Sequence, residues 1–199
     1  MPRLFTAIEI ATNAALPLSF LRGGLPSARW IDPENYHLTL RFIGDVDSRT
    51  ADEIVAALDR IERPNFPIAL KGLGAFGTRK PHSIYADVEP SDDLERLQGE
   101  IDRGLRRLGL TADGRKFVPH VTLARLRNPK AEDVAHYLSS RGDFRTPPFQ
   151  VGRFVLFSSK DSVGGGPYVL EEAFPLRPSR AVGGGLHAHS MPAVAAPLR

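Results

Sequence analysis

A chain of 199 residues, 42% of them hydrophobic and 25% charged, can bury a substantial core and sits in the ordinary globular range, which argues against a disordered or membrane-spanning protein. The absence of cysteine excludes disulfide frameworks, thiolate zinc sites and a cysteine nucleophile together. A formal net charge of +3 suits a nucleic acid or phosphorylated ligand without demanding one, and the basic clusters at Arg103 to Arg107 and Arg115-Lys116 read as a solvated helix face and a loop.

In chain order, residues 3–10 predict a strand, followed by a short helix through Phe20 and Leu21 that stops at Gly23-Gly24. Glu9 interrupts any apolar core that a secretory leader would need, so the expected address is cytoplasmic. A turn at Asp32-Pro33-Glu34-Asn35 leads into an alternating segment, Tyr36 to Ile43. Simple alternation there sets His37, Thr39 and Arg41 on one face and Leu38, Leu40 and Phe42 on the other. Ile54, Val55, Leu58 and Ile61 predict a helix over 48–62. Strands are expected at 66–76 and 82–88. A long helix then carries Leu94, Leu97, Ile101, Leu105 and Leu108 on one stripe, with Asp92 as cap and Gly109 as stop. Phe117 to Arg125 alternates again, a short helix surrounds Val134 and Leu138, and Val151 to Ser159 and Tyr168 to Phe174 close the pattern. Strands and helices mix without strict alternation, which predicts an α+β protein of antiparallel sheets with helices packed outside. One domain over 1–178 is expected, and the Gly-, Ala- and Pro-rich 179–199 reads as a disordered tail.

One internal repeat carries chemistry. Tyr36-His37-Leu38-Thr39-Leu40-Arg41-Phe42 and Pro119-His120-Val121-Thr122-Leu123-Ala124-Arg125 both contain His-aliphatic-Thr-Leu, in a chain with only six histidines. On a strand, His and Thr two apart project side by side while the aliphatic residues anchor the mount in the core. Two such strands would gather two imidazoles and two hydroxyls around one pocket. Hydrolysis of a cyclic phosphodiester needs a base for water and an acid for the departing oxygen, and two imidazoles can divide those tasks near neutral pH. Threonine hydroxyls can donate to the non-bridging phosphate oxygens, and neither metal nor cofactor is required.

These residues resemble the 2H phosphoesterase superfamily, in its RNA 2′,3′-cyclic phosphodiesterase (2′-5′ RNA ligase-like) branch. Arg3 to Ile8, Trp30 with Pro33 to Gly44, Phe117 to Arg125, Phe157-Ser158 and Tyr168 to Leu176 carry the resemblance, from about residue 3 to 177. It implies a bilobal fold with pseudo-twofold symmetry and a central cleft. It also implies hydrolysis of a 2′,3′-cyclic phosphate RNA end to a 2′-phosphate, with reversible 2′-5′ ligation at the same site. Position by position, His37 and His120 become the acid-base pair, with His37 as acid in hydrolysis, and Thr39 and Thr122 the phosphate ligands. By alternation Arg41 faces the pocket beside Thr39, where its guanidinium is expected to bind phosphate. Arg125 falls on the back, so it reaches phosphate only if a bulge redirects it, a structural ion pair being the alternative. Tyr168 at the cleft rim is a candidate for base stacking; Phe42 is another, although its face assigns it to the core. His82 and His136 read as structural or solvated, His187 and His189 lack carboxylate support for a metal, and Gly164-Gly165-Gly166 reads as a turn. A small cyclic nucleotide as substrate and a non-catalytic RNA-binding module are the competing readings. A monomer is expected.

Overall fold

In the computed structural model, which describes residues 3–77, 79–111, 114, 116–159 and 167–178, β1 (Arg3–Glu9) is buried on both faces from Leu4 to Ile8. It therefore lies inside a covered sheet rather than at its rim. After it come α1 (Thr12–Ser19), β2 (Ala28–Trp30), a 3-10 turn (Pro33–Asn35), β3 (His37–Asp45) and α2 (Ser48–Leu58). The chain continues through β4 (Phe66–Ile68), β5 (Leu70–Phe76), β6 (Ser83–Val88), α3 (Asp92–Arg107), β7 (His120–Leu126) and α4 (Ala131–Ser139). It closes with β8 (Phe149–Val151), β9 (Arg153–Ser159) and β10 (Val169–Pro175).

The expected α+β architecture is present, with antiparallel pairing throughout the two sheets. The larger sheet runs β10-β9-β1-β3-β7-β6-β5, with β2 also paired to β7, and β4 and β8 form a small second sheet. The larger sheet is two half-sheets joined at a narrow seam, since β3 and β7 meet through the single partner pair Leu38 and Val121. The N-terminal half of β7 meets β3 there, and its C-terminal half pairs with β2. The expected tail, the 164–166 turn, His187 and His189 lie outside the described residues.

The helices cover one face of the sheet. Leu94, Leu97, Ile101 and Leu105 of α3 are fully buried in the main core, alongside Ile54 and Leu58 of α2. The expected stripe is therefore right, but the cap is Ser91 rather than Asp92: its hydroxyl accepts from the Leu94 N–H at 3.3 Å. A serine one residue earlier meets the extended geometry a cap requires, and Asp92 and Asp93 then complement the helix dipole from the first turn. Gly109, at φ +80°, ends the helix as expected. Strand β2, which links the region before the first motif to β7, was not expected, because three residues are too few to show a period.

Candidate active site

Both motif strands carry the same irregularity, and it decides what faces the cleft. Against β1, β3 pairs Ala7 with Thr39 and Thr6 with Arg41, so Leu40 is an extra, bulged residue. Against β6, β7 pairs Tyr85 with Thr122 and Ile84 with Ala124, so Leu123 is the extra residue. A bulge inserts one residue and reverses the facing of everything beyond it. His and Thr precede the bulge in each copy and share the cleft face. Beyond it, positions that simple alternation assigns to the back turn to the front.

The expectation for Arg41 is thereby overturned. Arg41 is 6% exposed, points away from the cleft, forms an ion pair with Asp102 of α3 and donates to the Leu110 carbonyl at 2.9 Å. Phe42 is corrected in the opposite sense: it is 55% exposed, opposite Phe5 on the cleft face, with ring centroids 5.5 Å apart. In β7 the same rephasing brings Arg125 to the face of His120 and Thr122, where it is exposed. The bulge weighed for Arg125 is present, and no ion pair holds it among the described residues.

At the seam, continuing the register from Leu38 opposite Val121 sets His37 opposite Thr122 and Thr39 opposite His120. A local twofold relation thus crosses the two His-Thr pairs. The imidazoles are held alike. Nδ1–H of His37 donates to the Asn35 carbonyl at 2.8 Å, and Nδ1–H of His120 donates to the Val118 carbonyl at 2.7 Å. A carbonyl can only accept, so each ring is fixed as the tautomer that leaves Nε2 for proton transfer. No signal in the two tetrapeptides announces this; it comes from the chain doubling back just before each strand.

Around these rings the halves differ. His37 lies against Phe5 at 5.2 Å and Tyr168 at 4.9 Å between centroids, with Phe157 at 6.2 Å. Tyr168 is thus at the site, as expected. A groove of about 300 Å³ beside His37 is bounded by Glu9, Asn35, Phe157 and Tyr168 among others. His120 lies against Phe76 at 4.7 Å and Tyr85 at 5.4 Å. The Tyr85 ring fits because Gly74 has no side chain: a Cβ there would come within 2.5 Å of the ring. His82 is exposed and stacks on the far side of this group, 6.3 Å from Phe76, while His136 lies in α4 away from both motif strands.

A carboxylate stands directly opposite each histidine, Glu9 opposite His37 and Asp87 opposite His120. Neither was singled out in the sequence, since the relation appears only across strands. Glu9 is neutralised by Arg153 at 2.6 Å. Asp87 has no ion-pair partner among the described residues; burial pushes its carboxyl up, opposed by the charge of His120. Both imidazoles are pushed below their ordinary value, in each case chiefly by burial. For His37 the charges of His120 and Arg125 add to that depression. For His120 Arg125 acts in the same direction and Asp87 opposes it. The Thr39 and Thr122 hydroxyls, half-buried on the cleft face, make no hydrogen bond among the described residues and are open to a ligand.

Two matched His-Thr strands facing each other across a seam define a class, and the chain belongs to it: the profile of the 2′-5′ RNA ligase superfamily, the 2H phosphoesterases, matches residues 28–162. Among individual relatives, an RNA 2′,3′-cyclic phosphodiesterase of Aeropyrum pernix is 37% identical over 149 residues, covering 73% of this chain and 84% of that protein. One from Aquifex aeolicus is 32% identical over 156 residues, covering 74% and 81%. The fold is shared with TT0787 of Thermus thermophilus, at a TM-score of 0.73 and 24% identity over 89% of this chain and all of that one. Escherichia coli LigT in complex with 3′-AMP gives a TM-score of 0.72 and 23% identity over 88% and 99%.

Proposed function

We propose that this protein hydrolyses the 2′,3′-cyclic phosphate at an RNA end to a 2′-phosphate, using His37 and His120 as its acid-base pair and no metal. The observation that carries the proposal is the antiparallel seam pair of Leu38 and Val121, whose register, continued one residue either way, sets His37 toward Thr122 and Thr39 toward His120. A phosphate between them meets a hydroxyl and an Nε2 from either side. Thr39, Thr122 and Arg125 would hold its non-bridging oxygens, whose charge must be stabilised throughout in-line displacement.

In this reading Nε2 of His120 takes a proton from water as the water oxygen bonds to phosphorus. The bond from phosphorus to the ribose 3′ oxygen breaks, and His37, which enters as the imidazolium that the bound phosphate favours, delivers its Nε2 proton to that oxygen. Asp87 supports the assignment, since a carboxylate beside His120 stabilises the imidazolium that forms when it acts as base. His37, whose proton burial makes more acidic, suits the acid. With a ribose 5′-hydroxyl in place of water, the same steps form a 2′-5′ linkage, and run backwards they open it. Phe42 and Tyr168 flank the site as surfaces for a base.

The test is hydrolysis of an oligonucleotide ending in a 2′,3′-cyclic phosphate, in chelator, followed by phosphorus NMR. His37→Ala and His120→Ala should each lower the rate by about 10² to 10⁴, the ordinary contribution of a general acid or base. An inactive wild type, or a double variant as fast as wild type, would sink the proposal.

A further inference from the structure

Residues directly opposite in an antiparallel ladder share a face of the sheet, and like charges so placed repel. Arg29 of β2 and Arg125 of β7 are such partners. Both are exposed, and neither has a carboxylate partner among the described residues, whereas Arg3, Arg22, Arg41, Arg63 and Arg153 are each ion-paired. Alternation along β2 explains the direction of Arg29: Trp30, next in the strand, packs its ring against Tyr137 at 5.8 Å on the helix side. The row extends across the sheet, from Arg125 to Ser83 of β6 and from Ser83 to Phe76 of β5. Phe76 touches His120, so the row stands on the catalytic face. Arg79 and Lys80, both exposed, lie in the β5–β6 connection at the same end.

An unneutralised arginine pair is the geometry that an anion completes, and guanidinium groups favour phosphate. Arg125 lies three positions beyond Thr122, so the row stands no more than about 10 Å along the strand from the reacting phosphate. From there the long Arg125 side chain spans toward the reacting phosphate, whereas Arg29, one strand farther out, is placed for a neighbouring one. We propose that Arg29, together with Arg125, forms a second phosphate subsite for the internucleotide phosphodiester on the 5′ side of the terminal nucleotide. This rests on the hydrolytic reading above and narrows its substrate to a strand rather than a mononucleotide. Arg125 then serves both phosphates, while Arg29 belongs to the second.

Three substrates separate the sources of that phosphate: a nucleoside 2′,3′-cyclic phosphate, the same compound bearing a 5′-phosphate, and a dinucleotide ending in the cyclic phosphate. For Arg29→Gln, kcat/KM on the dinucleotide should fall about tenfold more than on the bare mononucleotide, mainly through KM, and the log-log salt slope should shrink by about one. Arg29→Lys should recover much of the salt slope, which excludes a folding defect as the cause. A loss shared by the dinucleotide and the 5′-phosphorylated mononucleotide supports the subsite, and so does a loss confined to the dinucleotide. Equal loss on all three, or none on any, overturns it. Wild-type inactivity on all three strikes the hydrolytic reading instead. Binding of a 3′-phosphorylated dinucleotide then decides the subsite, and equal affinity of wild type and Arg29→Gln overturns it.

Discussion

His37 and His120 occupy matching cradles, each donating Nδ1–H to a carbonyl two residues upstream, yet among the described residues only His120 stands beside a carboxylate with no ion-pair partner. Removing that charge while keeping the shape of the side chain should lower the pKa of His120, because Asp87 adds to the hydrogen bond with the Val118 carbonyl in raising it against burial. Asp87→Asn is therefore expected to move the His120 imidazole resonance to a more acidic midpoint in an NMR titration, with the corresponding limb of the kcat/KM profile following it and His37 shifting little. An unchanged His120 midpoint would contradict the electrostatic account. Arg41 gives the opposite kind of prediction. Its partner Asp102 keeps Arg106, so Arg41→Met should cost stability at the low end of the range for breaking a buried pair, about 3 kcal/mol, read by denaturant unfolding. The folded variant should keep the wild-type KM, since the guanidinium points into α3 and not toward phosphate.

Strand β3 shows why residue spacing was enough for His37 and Thr39 and failed for Arg41 and Phe42. Up to Thr39 the period of two holds; the bulged Leu40 then shifts the phase, and the sequence carries no mark of it because leucine fits either state. Strand β7 repeats the device at Leu123, which puts Arg125 where Phe42 stands in the first half. Close packing of β5 on β6 yields a further test. Gly74→Ala would drive a methyl into the Tyr85 ring, which touches His120, so activity should fall several-fold with the fold retained by circular dichroism. The cap of α3 is a separate matter: Ser91→Ala should lower stability by about 1 kcal/mol while leaving hydrolysis intact.

Across the whole molecule, the two half-buried imidazoles tie stability to pH. Each has a folded-state pKa below its ordinary value, so below about pH 6.5 the unfolded chain binds more protons and stability declines as pH falls. An anion bound in the cleft favours the imidazolium forms and should offset that decline. Urea unfolding at a series of pH values, with and without inorganic phosphate, checks this, and His37→Asn/His120→Asn should flatten the dependence. No helix among the described residues is long and apolar enough to cross a membrane.

The amino-acid sequence by itself determined the α+β class, the stripe on α3, the stop at Gly109 and the four residues His37, Thr39, His120 and Thr122. Each of these is written in local periodicity or in a motif short enough to precede any irregularity. Tertiary structure alone decided the facing of Arg41, Phe42 and Arg125, because a bulge exists only relative to the strand beside it. It also supplied Asp87 opposite His120 and Arg29 opposite Arg125, pairs separated by 33 and 96 positions that meet only through register. The two His-Thr motifs were legible one at a time; that they face each other crosswise depends on the single seam where Leu38 meets Val121.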